Sequence, residues 1–239
     1  MKKIIIYDFD GTLTPYSMPR FEILKKCGIE NYSKKLGFKL VIKARMFFKK
    51  IDMYTAIYEV LFETIKKSGF DLSDKNLSLG SNEIEYNPGV EEFIQYLNVN
   101  NVDNYIVSSG MEYYLKNTKI APLFKEIYAT KLNYDKENNV SGIKYLMDDK
   151  NKVNAIKDIM AKNRLEDCSD IIYVGDGLTD VYSFEFVHNN GGKAIFVYQN
   201  ENDKKISKIK EKGIVDYFAK ADYTLNSELS KYVMNECKI

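Results

Sequence analysis

Asp8 and Asp10 stand two residues apart in the run Asp8-Phe9-Asp10-Gly11-Thr12-Leu13-Thr14, directly behind the apolar stretch Ile4-Ile5-Ile6-Tyr7. Two carboxylates held so close repel each other unless a cation or a shared proton stabilises them. A carboxylate attacks a phosphate dianion poorly for the same reason, and a bound Mg²⁺ would remove that repulsion. The second acid could then protonate the leaving oxygen and later activate a water. As a bare pattern, two aspartates around one residue are common on surfaces. The apolar run before them and the turn residue Gly11 after them place this pair at the end of a buried strand.

A second acidic cluster, Gly175-Asp176-Gly177-Leu178-Thr179-Asp180, also follows an apolar run, Ile171-Ile172-Tyr173-Val174. Neighbouring strands lie about 5 Å apart, so Asp176 could share a cation with Asp8. Asp180 would steady that coordination shell or hold a lysine. The plainer reading is a helix over 180–188 capped by Thr179 or Asp176, with the glycines merely turning the chain. Ser108-Ser109-Gly110 closes a further run, Tyr105-Ile106-Val107, and precedes a helical segment. A hydroxyl with backbone N–H groups at a helix start makes an anion site, and an N-cap serine looks the same in sequence. Lys152 begins another helical segment, where one fixed ammonium would stabilise a phosphoryl group in transfer. Lys150 competes for that role, and Asp148 and Asp149 read as surface groups. A serine nucleophile is not expected: His188 is the sole histidine, reads as a surface or helix-end residue, and pairs with no serine by sequence.

Such residues need strands that end side by side. The apolar runs at 4–7, 105–107, 127–129, 171–174 and 194–198 read as strands. They alternate with helical periodicity at 89–99, 151–163 and 179–188, the pattern of a doubly wound parallel sheet. In such sheets ligands bind beyond the carboxyl ends of the strands. A sixth strand is expected at Tyr223-Thr224-Leu225, followed by a last helix capped by Asn226 or Ser227. Residues 16–86 break the alternation with long amphipathic runs such as Phe38, Val41, Ile42, Met46, Phe47 and Tyr54, Ile57, Leu61, Ile65. They predict an inserted all-helical module joined by linkers near 13–17 and 81–88. The α/β core would comprise 1–15 and 87–239.

Composition narrows the partners. The chain has 239 residues, 45% apolar and 29% charged, with a net charge of +1. That balance gives no electrostatic case for nucleic acid. No apolar run nears the roughly 20 residues of a spanning helix, and no leader is visible ahead of the first strand. Cys27, Cys168 and Cys237 are widely spaced and read as reduced thiols of a cytoplasmic protein. Within residues 20–50, ten Lys/Arg face two acids. This basic stretch could steer an anionic substrate or touch an anionic membrane surface; the plainer reading is a solvated polar face over an apolar one packed within the module. Oligomeric state is not legible.

The order and spacing of Asp8-Phe9-Asp10-Gly11-Thr12-Leu13-Thr14, Ser108, Lys152 and Gly175-Asp176-Gly177-x-x-Asp180 resemble the haloacid dehalogenase (HAD) superfamily, and within it the phosphoserine-phosphatase-like branch. The resemblance implies a Rossmann-like core with a parallel sheet flanked by helices, and a helical cap of the C1 type. It implies a Mg²⁺-dependent phosphatase acting on a small phosphorylated substrate. Asp8 would form an aspartyl-phosphate, and Asp10 would be the acid/base and lend its backbone carbonyl to the metal. Ser108, Ser109, Gly110 and Lys152 would bind the phosphoryl group. Asp176 would complete the metal site, with Gly11, Thr12, Gly177 and Asp180 in support. The presence of Asp10 argues against a dehalogenase, whose members lack the second acid. Phosphoserine phosphatases carry a glutamate where this chain has Ser17, with Glu22 displaced from that position, a departure that counts against phosphoserine without excluding it. A phosphotransferase or mutase would use the same aspartyl-phosphate, and a non-catalytic phospholigand-binding protein is the third reading.

Overall fold

The computed structural model describes residues 2–16, 22–28 and 36–239. Ser17 and part of the basic stretch, including Arg20, Lys34 and Lys35, lie outside the described residues. The strands are β1 (Ile4–Tyr7), β2 (Asp103–Met111), β3 (Glu126–Tyr134), β4 (Val140–Tyr145), β5 (Ile171–Gly175), β6 (Lys193–Tyr198) and β7 (Tyr217–Lys220). The helices are α1 (Glu22–Lys26), α2 (Leu36–Lys49), α3 (Met53–Lys67), α4 (Asp74–Leu77), α5 (Val90–Val99), α6 (Glu112–Lys116), α7 (Asp149–Lys162), α8 (Val181–Asn189), α9 (Lys204–Lys210) and α10 (Glu228–Cys237).

All strands join one sheet in the order β4-β3-β2-β1-β5-β6-β7, parallel throughout except for the β3–β4 pair. β1 is wholly buried because both of its faces are covered. On one side Ile5, Tyr7, Ile172, Val174, Ile195 and Val197 pack with Phe93, Ile94 and Leu97 of α5 and Leu229 and Val233 of α10. On the other, Ile4, Ile6, Tyr173 and Phe196 pack with Ile156 and Ile159 of α7 and Phe184 and Val187 of α8. Alternate residues of each strand therefore feed opposite layers. Because Tyr7 pairs with both Ile106 and Val174, Asp8, Ser108 and Asp176 follow at nearly one level on three adjacent strands. This is the point where the strand order reverses, and it brings the three motifs together.

Two expectations are corrected. The strand expected at Tyr223-Thr224-Leu225 lies earlier, at Tyr217–Lys220. Tyr223 is instead a buried anchor: its N–H donates to the Pro88 carbonyl (2.7 Å) and its hydroxyl to the Thr12 carbonyl (3.1 Å). An apolar run signals burial, and here the burial comes without a ladder. The helix expected over 179–188 opens with a 3-10 turn, Leu178–Asp180, and neither Thr179 nor Asp176 caps α8. The last helix is capped by Ser227, whose side chain accepts from the Ser230 N–H.

Between Tyr7 and Asp103 the described residues form helices and turns, with a single isolated bridge from Ser73 to Asn139. Ile23, Leu24, Tyr58, Leu61 and Ile65 of this segment pack on Met111, Tyr114, Leu132 and Val140 of the β2–β4 side of the sheet. The two chain crossings are tied: Asn87 N–H donates to the Leu13 carbonyl (2.9 Å), and its side-chain amide to the Thr12 carbonyl (2.6 Å). The basic stretch is less basic in space than in sequence. Arg45 bridges Glu59 and Glu63, Lys49 reaches Glu59, and Lys25 reaches Glu22.

Candidate active site

Asp8 is the first residue beyond β1, and its N–H still donates to the Val174 carbonyl, so the strand carries it to a fixed position (2.9 Å). The chain then folds back: the N–H groups of Leu13 and Thr14 converge on the Phe9 carbonyl, and Gly11 adopts a left-handed φ of 80°. A side chain there would collide with Asp176, whose Oδ2 lies 2.5 Å from the position of a Cβ. Gly11 thus lets the two acidic turns close on each other. Thr12 is buried beneath them with no hydrogen-bond partner for its hydroxyl among the described residues.

Lys152, in the first turn of α7, is fully buried and donates to Asp8 Oδ1 (2.9 Å) and Asp180 Oδ1 (2.8 Å). Asp180 also accepts from the Tyr173 hydroxyl (2.7 Å), and its Oδ2 accepts from the Gly177 N–H (3.1 Å). Its oxygens are engaged, so it positions Lys152 and the Gly177 turn. Gly175 permits this, since a Cβ there would stand 2.7 Å from the Asp180 carboxyl carbon. Lys150 is exposed and plays no part. Ser108 is buried, and its Oγ accepts from the Gly110 N–H (3.1 Å). The register of β2 shifts between Val107 and Met111, so Ser108, Ser109 and Gly110 bulge toward the cavity.

Burial pushes the Asp8 carboxyl up to about 7, with Lys152 opposing the rise and Asp180 and Asp176 adding to it. Asp176 is raised for the same reason, against the pull of Lys205. Burial works against the charge on Lys152, but Asp180 and Asp8 hold its ammonium well above the usual lysine range. Four carboxylates (Asp8, Asp10, Asp176 and Asp180) and two ammoniums (Lys152 and Lys205) share this floor. The floor carries excess negative charge in a setting that penalises it.

That excess, and the all-oxygen donor set, fit a hard divalent cation. Asp8, Asp176 and Asp180 each offer an oxygen within 4.8 Å of the others. With Asp180 engaged by three donors, Asp8 and Asp176 are the side chains best able to hold a metal. The structure brings together the acidic pair, the serine turn, Lys152 and the second acidic cluster: Asp8, Asp10, Ser108, Ser109, Gly110, Lys152, Asp176 and Gly177 line one cavity of about 400 Å³, with Gly11, Thr12 and Asp180 packed behind them.

Sequence reasoning missed Lys205, at the start of α9, which donates to Asp176 Oδ2 (2.8 Å) and to its carbonyl (3.2 Å). It also missed the far wall, formed by Phe38 of α2 and Tyr54, Ile57, Tyr58 and Leu61 of α3. The Tyr58 hydroxyl donates to the Ser109 carbonyl (2.8 Å), fastening α3 to the β2 bulge. Tyr54 donates to Asp149, which is therefore half-buried behind the cavity wall and not a free surface acid. Asp148 caps α7 through the Asn151 N–H (2.7 Å). The apolar periods of α2 and α3 were legible, but not that five of their residues face this cavity.

The haloacid dehalogenase-like hydrolase family matches this chain over residues 5–185, which span all the motifs just described. The chain belongs to that family. An uncharacterised protein of Borreliella burgdorferi is 24% identical over 279 aligned positions, covering 97% of this chain and 95% of its own. Among solved folds, substrate-bound phosphoserine phosphatase superposes with a TM-score of 0.66 at 20% identity, over 97% of this chain and 98% of that one. The apo form of phosphoserine phosphatase gives 0.65 at 21% identity, over 97% and 99%. A HAD-family hydrolase of Salmonella enterica serovar Typhi gives 0.65 at 16%, over 92% of this chain and 67% of that one. At such identities the likeness is one of fold, and it matches the α/β sheet described above.

Proposed function

We propose that this HAD-family hydrolase is a Mg²⁺-dependent phosphatase that cleaves small phosphate monoesters through an aspartyl-phosphate on Asp8. Residues 1–15 and 87–239 would form the catalytic core, with 16–86 a helical cap over it. The observation that carries the reading is the place of Lys152 between Asp8 and Asp180, both within 2.9 Å, on the floor of the cavity. Lys152 occupies Oδ1 of Asp8 and leaves Oδ2 free to attack. Magnesium held by Asp8, Asp176 and the Asp10 carbonyl would cancel the repulsion between carboxylate and phosphate dianion.

Asp8 Oδ2 forms the new bond to phosphorus as the ester bond to the leaving oxygen breaks. Asp10, which lines the cavity, gives its proton to that oxygen. In the second half, Asp10 takes a proton from water as the water oxygen bonds to phosphorus. The bond to Asp8 breaks, and inorganic phosphate and the free carboxylate return. Ser108, the Ser109 and Gly110 turn and Lys152 would hold the phosphoryl oxygens.

The wall opposite the phosphate site supports an apolar leaving group. Phe38, Ile57 and Leu61 are hydrocarbon, and the hydroxyls of Tyr54 and Tyr58 are already engaged. Among the described residues, helices α2 and α3 bring no charged group to the cavity. Asp8→Asn tests the assignment. With a generic aryl phosphate and Mg²⁺ the native protein releases inorganic phosphate, and acid-quenched samples gain the mass of one phosphoryl group. The variant should do neither; undiminished phosphate release from it removes Asp8 as the nucleophile.

A further inference from the structure

Helix α2 is apolar on both of its sides. Phe38, Ile42 and Met46 pack against Ala56, Val60 and Ile57 of α3, as an amphipathic helix should. The opposite side ought to be polar and is not. Leu40 (59% exposed), Val41 (47%), Phe47 (78%) and Phe48 (80%) stand in solvent, with the exposed Ala44 between them. At 3.6 residues per turn these five positions fall within an arc of about 120°. Two neighbouring phenylalanines exposed to this degree form a patch, not scattered surface apolarity. The two rings meet edge to face at 5.4 Å. Past the end of the helix, Met53 opens α3 and is also exposed (43%).

Charge singles out what covers this face. Lys39 and Lys43 flank the stripe along one side and Lys50 follows the helix end; none of them makes an ion pair among the described residues. Arg45 and Lys49, by contrast, are turned toward α3 and held by Glu59 and Glu63. Helix α2 contains no acid at all. A second copy of the same face would therefore bring lysines to lysines with no countercharge. An anionic headgroup layer supplies the countercharge along the flank and hydrocarbon beneath the stripe. We infer that the outer face of α2 docks on an anionic lipid bilayer, lying in the interface with Leu40, Val41, Phe47 and Phe48 inserted below the headgroups. The inference is independent of the chemistry proposed above.

The chain contains no tryptophan, so Phe47→Trp places a single indole reporter in the stripe. The full-length variant is mixed with vesicles of phosphatidylcholine alone, or of phosphatidylcholine with an equal share of phosphatidylglycerol. Docking shifts the emission to the blue with the anionic vesicles only, and brominated acyl chains quench it. Adding Lys39→Glu and Lys43→Glu in the same background should weaken partitioning by at least about tenfold. Emission that ignores anionic vesicles at low salt overturns the inference. So does a blue shift that grows with protein concentration in the absence of lipid, which would assign the face to a second copy. Equal shifts with both vesicle types overturn the role given to the lysines.

Discussion

The electrostatics around Lys152 set opposite expectations for two substitutions that both remove a charge. Lys152 is the buried cation between Asp8 and Asp180. Lys152→Met leaves those carboxylates buried without a counter-ion, and breaking such a pair costs roughly 3–5 kcal/mol. The denaturant midpoint should fall accordingly, and phosphate release should be lost. Asp8→Asn acts in the other direction, because it removes a carboxylate that burial already disfavours while Lys152 keeps Asp180. Its metal-free stability should equal or exceed that of the native chain; a variant as unstable as Lys152→Met would contradict the excess of negative charge on this floor. Asp10 carries a different role. Asp10→Asn keeps the shape but cannot pass a proton, so turnover should fall by about 10²–10⁴-fold while the fold stands. Full activity in that variant would refute the proton transfer assigned to it.

At the scale of elements, what was legible follows from how each strand is covered. β1 and β5 are buried on both faces and read as unbroken apolar runs. The motifs follow them directly, so the core of the candidate site could be read with the strands. The outer strands gave no such signal. Val140–Tyr145 contains Ser141, Gly142 and Lys144, and Tyr217–Lys220 is four residues long and ends in lysine. Edge strands are short and half-solvated, which makes them hard to tell from loops. Lys205 and Asp149 escaped for a tertiary reason. Lys205 meets Asp176 across 29 residues and Asp149 meets Tyr54 across 95, so no local pattern marks either. The wall that α3 presents leads to a prediction about selectivity. Benzyl phosphate and phosphoserine are both esters of primary alcohols, so their relative kcat/KM reads the pocket more than leaving-group acidity. The native chain should favour benzyl phosphate by at least about tenfold. Ile57→Arg should lower that ratio by a similar factor, since it sets a charge where the ring would lie. A native preference for phosphoserine would exclude an apolar leaving group without touching the case for Asp8.

Across the whole molecule, a net charge of +1 conceals an uneven distribution. Of the basic stretch, Arg45 and Lys49 are answered by Glu59 and Glu63 of α3, whereas Lys39, Lys43 and Lys50 beside the apolar stripe make no ion pair among the described residues. Part of the balancing acid excess lies at the meeting of β1 and β5, where four carboxylates face two lysines. That site joins segments far apart in the chain: the turn after β1, the bulge of β2, the start of α7 and the turn after β5. A ligand that binds only this assembled arrangement stabilises the native state by mass action, about 2.7 kcal/mol at a concentration 100-fold above its Kd. For a chain of this size each kcal/mol moves the midpoint by roughly 2–4 °C. Mg²⁺ should therefore raise the Tm of the native chain by several degrees, and EDTA should reverse the rise. In Asp176→Asn the rise should vanish, because one of the two best-placed carboxylates is gone, while the sheet and its hydrophobic layers remain. This measurement needs no substrate and no turnover. A Tm that ignores Mg²⁺ in the native chain, or a rise that persists in Asp176→Asn, would separate the metal from this site even if phosphate esters are cleaved.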